Sequence, residues 1–140
     1  MVNAVACSTV PKITVIIGGS FGAGNYAMCG RAYEPDFLFM WPNAHIAVMG
    51  GKQAAEVLNQ VKEDQLKRHN EPIDESHQQQ FKQRIEAQFN ERSNAFYASA
   101  RLWDDGIINP LDTRHILGFT VALGKKHMSD KPSPFGVFRM

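Results

Sequence analysis

The chain has 140 residues, 44% apolar and 21% charged, which suits one domain with a modest core and excludes a disordered segment. Its 15 basic and 14 acidic residues leave a formal charge of +1, so no basic excess points to nucleic acid. Cys7 and Cys29 have no metal-ligand spacing, no apolar run is long enough to span a bilayer, and MVNAVACSTVPK carries no leader pattern; the expectation is a reduced, soluble, intracellular protein.

Val2, Val5, Ala6 and Val10 recur at helical spacing with no N-cap residue before them, which suggests a helix cut in its middle and a chain that is a fragment of a longer one. Lys12 to Ile17 (KITVII) is β-branched and apolar, the pattern of a strand buried on both faces. It runs into GGSFGAG, residues 18–24, a glycine-rich turn. Asn25 to Tyr33 is expected to be a helix that Pro35 ends. Asp36–Trp41 and His45–Met49 read as short strands around the turn Pro42-Asn43, completing an α/β unit over residues 1–52.

After Gly50-Gly51 the pattern changes to helices over residues 53–103. Gln53 to about Asn70 places Ala54, Val57, Leu58 and Val61 on one face, and Asn70-Glu71-Pro72 breaks it. Asp74 is the expected N-cap of a second, long helix running to about Trp103, with Phe81, Ile85, Phe89, Phe96 and Ala100 on its apolar side. In residues 104–140, Asp104-Asp105-Gly106 forms a turn, Ile107-Ile108 an extended piece, and a last helix spans about Asp112 to Lys126. A polar, proline-rich stretch from Ser129 to Pro134 reads as mobile, and the apolar Phe135–Phe138 is expected to dock.

Chemistry is concentrated in residues 18–27, where three readings compete. Gly22-Ala23-Gly24-Asn25-Tyr26-Ala27 satisfies the dinucleotide fingerprint G-x-G-x-x-A, but the second strand ends in Met40-Trp41-Pro42, with no acid for a ribose. Gly18-Gly19-Ser20-Phe21-Gly22 fits the nucleophile elbow G-x-S-x-G, making Ser20 the nucleophile of a serine hydrolase, with Asp104 or Asp105 and His115 or His127 as partners in the required order. Such an enzyme needs strands before the elbow, and this chain offers one. The third reading is an oxyanion site of backbone amides, where glycines at a helix N-terminus let N–H groups reach a ligand oxygen and the dipole adds positive character. Against all three stands a plain tight turn without a ligand.

Residues 12–55, KITVIIGGSFGAGNYAMCGRAYEPDFLFMWPNAHIAVMGGKQAA, resemble the carboxyltransferase β subunits of biotin-dependent acyl-CoA carboxylases, in particular the methylcrotonyl- and geranyl-CoA branch. The segment PNAHIAVMGG, the run ASARLWDDGIINPLDTR at residues 98–114 and the ending FGVFRM are similar to that family's signatures. The turn Phe21-Gly22-Ala23-Gly24-Asn25-Tyr26 departs from the Tyr-Gly-Gly-Ala-Tyr kind of the propionyl- and acetyl-CoA members.

The resemblance implies an α/β, crotonase-like fold of ββα repeats with a long helical extension, the chain being the C-terminal part of the second, biotin-side domain. It implies an enzyme that transfers carboxyl from carboxybiotin to the γ-carbon of 3-methylcrotonyl-CoA or geranyl-CoA. The amides of Gly22, Ala23 and Gly24 would form the oxyanion hole for the biotin ureido oxygen, with Gly19, Phe21, Asn25 and Tyr26 around the biotin. Biotin would arrive on a carrier rather than bound covalently to this chain. The implied partners are a biotin carboxylase/carrier α subunit, the acyl-CoA and further β subunits, with no membrane and no nucleic acid. The implied location is cytoplasmic, or the mitochondrial matrix in a eukaryote. With the acyl-CoA domain absent, this segment alone is expected to be inactive; the alternatives are the Ser20 hydrolase and an inactive oligomerisation piece.

Other residues read as structural. Arg31, Arg101 and Arg114 are expected to pair with carboxylates or hold a helix to its neighbours, and Trp41 to belong to the core. His45 has no second ligand at metal spacing. Cys29 is expected on a helix face with Met28 and Ala32, buried and inert.

Overall fold

In a computed structural model of the chain, residues 1–69, 72 and 74–125 are described. The expected break at Asn70-Glu71, the tail from Ser129 to Phe138 and the candidate His127 lie outside them.

The first helix, α1, spans Val2–Ala6 and lacks a side-chain cap, as its sequence implies. Strands β1 (Ile13–Ile16), β3 (Phe37–Met40) and β5 (Gly106–Ile107) form a three-stranded sheet in the order β1-β3-β5. Strands β2 (Gly19–Phe21) and β4 (His45–Ala47) form a second, two-stranded sheet. Every pairing is parallel, with Ile13 opposite Phe37, Gly19 opposite His45 and Phe39 opposite Gly106. Parallel neighbours need a crossover, and residues 22–33 supply it. The turn between β3 and β4 has Pro42 and Asn43 at its centre, closed by the Ala44 N–H donating to the Trp41 carbonyl at 2.9 Å.

The core consists of Ile16, Leu38, Met40, Ala44, Ile46, Ala95 and Ala98, with Trp103 and Ile107 packed on it. Only Ile16 of β1 is buried, while Ile13 to Val15 are half-buried and Ile17 is exposed. The strand is therefore not buried on both faces within this chain, because only its last residue reaches the core cluster.

Two expected helices end early, by the same device. Helix α2 covers Gly22–Ala27 rather than 25–33, and a single 3₁₀ turn follows at Arg31–Tyr33. Cys29 takes φ +57°, its N–H donates to the Tyr26 carbonyl at 3.2 Å, and the Gly30 N–H donates to the Asn25 carbonyl at 2.7 Å. That is a Schellman cap with cysteine where glycine is usual, so the stop signal was hidden. Cys29 is buried, but past the helix rather than on its face.

The long helix expected to reach Trp103 is two: α4 (Glu75–Ser93) and α5 (Ala95–Ser99). Asp74 caps α4, its carboxylate accepting from the Ser76 N–H at 2.9 Å, a bond that lowers its pKa. At the break, Asn94 bridges to His45, the Ser93 hydroxyl lies 2.9 Å from His45 Nδ1, and Asn94 Oδ1 caps α5 by accepting from the Tyr97 N–H. Phe96 is 64% exposed because the restart takes it off the earlier stripe. Leu102, at φ +56°, closes α5 as Cys29 closes α2, with the Trp103 N–H donating to the Ala98 carbonyl at 3.2 Å.

Helix α3 (Gly51–Arg68) packs on α4 through small residues. A side chain at Gly51 would come within 2.8 Å of Asn90 Oδ1, so the backbones approach closely there. Ala54, Ala55 and Asn59 are buried on that side, whereas the expected apolar face of Val57, Leu58 and Val61 stays exposed. After a 3₁₀ turn at Pro110–Asp112, helix α6 spans Thr113–Lys125. No described helix is long and apolar enough to cross a membrane.

Candidate functional site

Strand β2 feeds directly into α2, so the glycine turn is a strand end and a helix start at once. Gly22 makes the join with φ +52°, a conformation that favours glycine, and a Cβ there would press on the Val48 carbonyl oxygen at 3.0 Å. No side chain caps α2. First-turn amides of a helix have no acceptor within it. The parallel register that pairs Phe21 with Ala47, with the His45 N–H on the Gly18 carbonyl, turns the Gly22 N–H to the Ala47 carbonyl, so Gly22 is not the free donor expected of it; no turn, loop or side-chain bond among the described residues takes up the N–H of Ala23 or Gly24. Asn25 braces the turn: its Nδ2 donates to Ser20 Oγ at 2.9 Å, and a side chain at Gly30 would collide with it.

Gly22, Ala23, Asn25 and Tyr26 line a cavity of about 600 Å³. The opposite walls bring in residues distant in sequence: Ile46 and Val48 around β4, Arg92 of α4, and Arg31 with Trp103. The Arg31 guanidinium carbon lies 4.3 Å from the centre of the Trp103 ring. Trp103 meets Tyr97 edge to face, and the Arg101 guanidinium carbon lies 3.3 Å from the Tyr97 ring centre. Among the described residues neither Arg31 nor Arg101 pairs with a carboxylate; the one ion pair within 4.0 Å is His77 with Asp74. Both planar cations lie on aromatic rings, so of the two expected roles they take contact with neighbouring elements and not carboxylate pairing.

Gly24, Gly19 and Phe21 do not line this cavity. Phe21 folds back over Gly19, where a Cβ would meet its ring at 2.6 Å, and Gly19 and Ser20 line a separate cavity of about 250 Å³. Ser20 lies in β2, bonded to Asn25 and to no imidazole among the described residues. His115 lines a third cavity with Asp105, away from Ser20, and Asp105 instead holds β3 by accepting from the Leu38 N–H at 2.7 Å. Among the described residues no serine triad is assembled. His45 is engaged with Ser93, and Trp41 Nε1 donates to Thr113 Oγ1 at 3.0 Å. No group of three His, Cys, Asp or Glu side chains suited to a metal occurs among the described residues.

Trp103 and Arg92 were not singled out from sequence, because neither stands in a motif with the turn; only the packing of α4 and the α5–β5 connection brings them there. Beside Trp103, both Asp104 carboxylate oxygens are buried without a hydrogen-bond partner. Burial raises its pKa above the ordinary 3.8 and the Asp105 charge adds to that, while the nearby Ser99 side chain works against it. The folded chain thus holds this proton more tightly than the unfolded one, so stability falls as pH rises from the ordinary value through the raised one. Asp104→Asn is expected to melt higher than the parent at pH 7, with the gap closing below the ordinary carboxylate range; parallel melts across pH check this.

Residues 1–136 match the family model described as carboxyl transferase domain. The whole chain is 54% identical to 26% of the biotin-dependent 3-methylcrotonyl-coenzyme A carboxylase β1 subunit of Mycobacterium tuberculosis. It is also 54% identical, over its whole length, to 24% of the probable mitochondrial methylcrotonoyl-CoA carboxylase β chain of Drosophila melanogaster. Among solved structures, the geranyl-CoA carboxylase β subunit of P. aeruginosa superposes with a TM-score of 0.79 at 40% identity, over 99% of this chain and 26% of that one. The chain thus spans about a quarter of the length of the relatives it matches.

Proposed function

The chain belongs to the carboxyl transferase domain family and has its crotonase-like fold, and on that premise we propose that it forms the biotin side of an acyl-CoA carboxyltransferase active site. The substrate class is an unsaturated β-methyl acyl-CoA of the 3-methylcrotonyl or geranyl kind, carboxylated at its γ-carbon. The observation that carries the reading is the first-turn amide of Ala23, taken up by no turn, loop or side-chain bond among the described residues, on the wall of a 600 Å³ cavity.

These residues fit a biotin ring in donor set and shape: amides at one wall, and the apolar faces of Tyr26, Ile46 and Trp103 around the rest. Carboxybiotin, when bound, supplies the carboxyl group and leaves negative charge on its ureido oxygen. The Ala23 N–H, with that of Gly24 next to it, holds that oxygen, while Gly22 makes the turn that aims them, and each such donor contributes roughly 3 kcal/mol to the transition state. The positive end of α2 adds to them, and no catalytic side chain is required. Asn25 sits beside these amides and also donates to Ser20 Oγ. Biotin reaches the cavity on the carrier of a partner α subunit, and further β subunits complete the assembly.

The test uses the intact carboxyltransferase, with free biotin and a carboxylated acyl-CoA. Biotin-dependent loss of the carboxyl group is expected, and comparing the methylcrotonyl- and geranyl-type thioesters identifies the substrate. A serine-directed fluorophosphonate should leave Ser20 unlabelled; labelling there sinks the reading.

A further inference from the structure

We propose that Arg31 and Arg92 make the cavity beside the glycine turn a carboxylate subsite, holding the group that is transferred. This rests on the reading of the cavity as the carboxyltransferase site. Both arginines line the 600 Å³ cavity, and no Asp or Glu among the described residues does. Neither guanidinium has an ion-pair or hydrogen-bond partner among the described residues. Both arginines are exposed to solvent, and two unpaired cations on one cavity repel each other and draw in an anion. Trp103 lies against Arg31, with the guanidinium carbon 4.3 Å from its ring centre, and a guanidinium held on a ring keeps its N–H edge for a planar carboxylate bound by two bonds. Trp103 is itself held, by its N–H bond to the Ala98 carbonyl and its contact with Tyr97.

The carboxylate comes from either of two sources, the N-carboxylated urea or the carboxylated acyl thioester. In both, the cations position the carboxylate and take no proton; Arg31 and Arg92 are positioning residues.

The experiment compares the intact carboxyltransferase with its Arg31→Met and Arg92→Met variants. Dissociation constants are measured for the carboxylated thioester and for its uncarboxylated parent, and transfer rates with carboxylated free biotin. If the thioester carboxylate is held, each variant weakens the carboxylated thioester about tenfold, the scale of one charge-assisted hydrogen bond, and leaves the parent within about twofold. If the urea carboxylate is held, both thioesters bind normally and transfer from carboxylated biotin falls about tenfold. Either result supports the subsite. Equal weakening of both thioesters, or no change in either assay, overturns it. Arg92 stacks on no ring among the described residues, so Arg92→Met keeps the test valid if Arg31→Met disturbs Trp103. Ethylguanidinium should restore carboxylate preference to Arg31→Ala, whereas ethylammonium should not. Loss of the amide at position 23 separates the two readings: it should lower turnover about 100- to 1,000-fold while the effects of the arginine variants on carboxylate binding persist.

Discussion

Ala23→Pro in the intact carboxyltransferase is expected to lower turnover about 100- to 1,000-fold, the cost of removing one oxyanion donor. Proline deletes the N–H and little else here. Ala23 is the second residue of α2, its side chain is exposed, and its amide has no acceptor within the described fold. A proline ring is tolerated in the first helical turn, and the preceding Gly22 has no Cβ to clash with it. Far-UV circular dichroism and the melting temperature should therefore stay near the parent's while kcat collapses. Ala23→Gly keeps the amide and should stay within a few-fold of the parent. Ser20→Ala should also be mild, since that hydroxyl only receives the Asn25 bond. Normal turnover in Ala23→Pro would mean the charge is stabilised elsewhere.

Met40→Ala is expected to destabilise the fold by about 2–5 kcal/mol, measured by urea unfolding. Met40 is 0% exposed and the largest fully buried side chain, at the end of β3 among Ile16, Leu38, Ala44, Ile46, Ala95 and Ala98. Its removal leaves a cavity that small neighbours such as Ala44, Ala95 and Ala98 cannot refill. Met40→Leu conserves volume and should cost less than about 1.5 kcal/mol. The effect extends to the site, since β3 pairs with β5 and so anchors the connection carrying Trp103. Similar losses for the two variants would show that the core there is loosely packed.

Much of this was legible in the chain itself. The β-branched run at Ile13–Ile16, the Pro42-Asn43 turn and the Asp74 cap each rest on local chemistry, and each stands where the residues imply. The glycine turn was equally plain, since only glycine sits comfortably at the φ of Gly22. The helix ends at Cys29 and Leu102 were not legible, because left-handed caps there are made by residues that normally avoid them. The break at Asn94 was missed for another reason: a cap residue inside a continuous polar and apolar pattern announces nothing until β4 comes to pair with it.

The α/β class and the place of the glycine turn after the first strand were determined by the sequence alone, because each follows from neighbours within a few residues. The cavity was decided only by the tertiary structure. The sequence offers Arg31 as a partner of a carboxylate or of a neighbouring element, and the fold sets it on Trp103, 72 positions along the chain, and brings Arg92 to the same space. Such meetings depend on where whole helices pack, and no local pattern encodes the distance between residues that touch only after the chain has closed on itself.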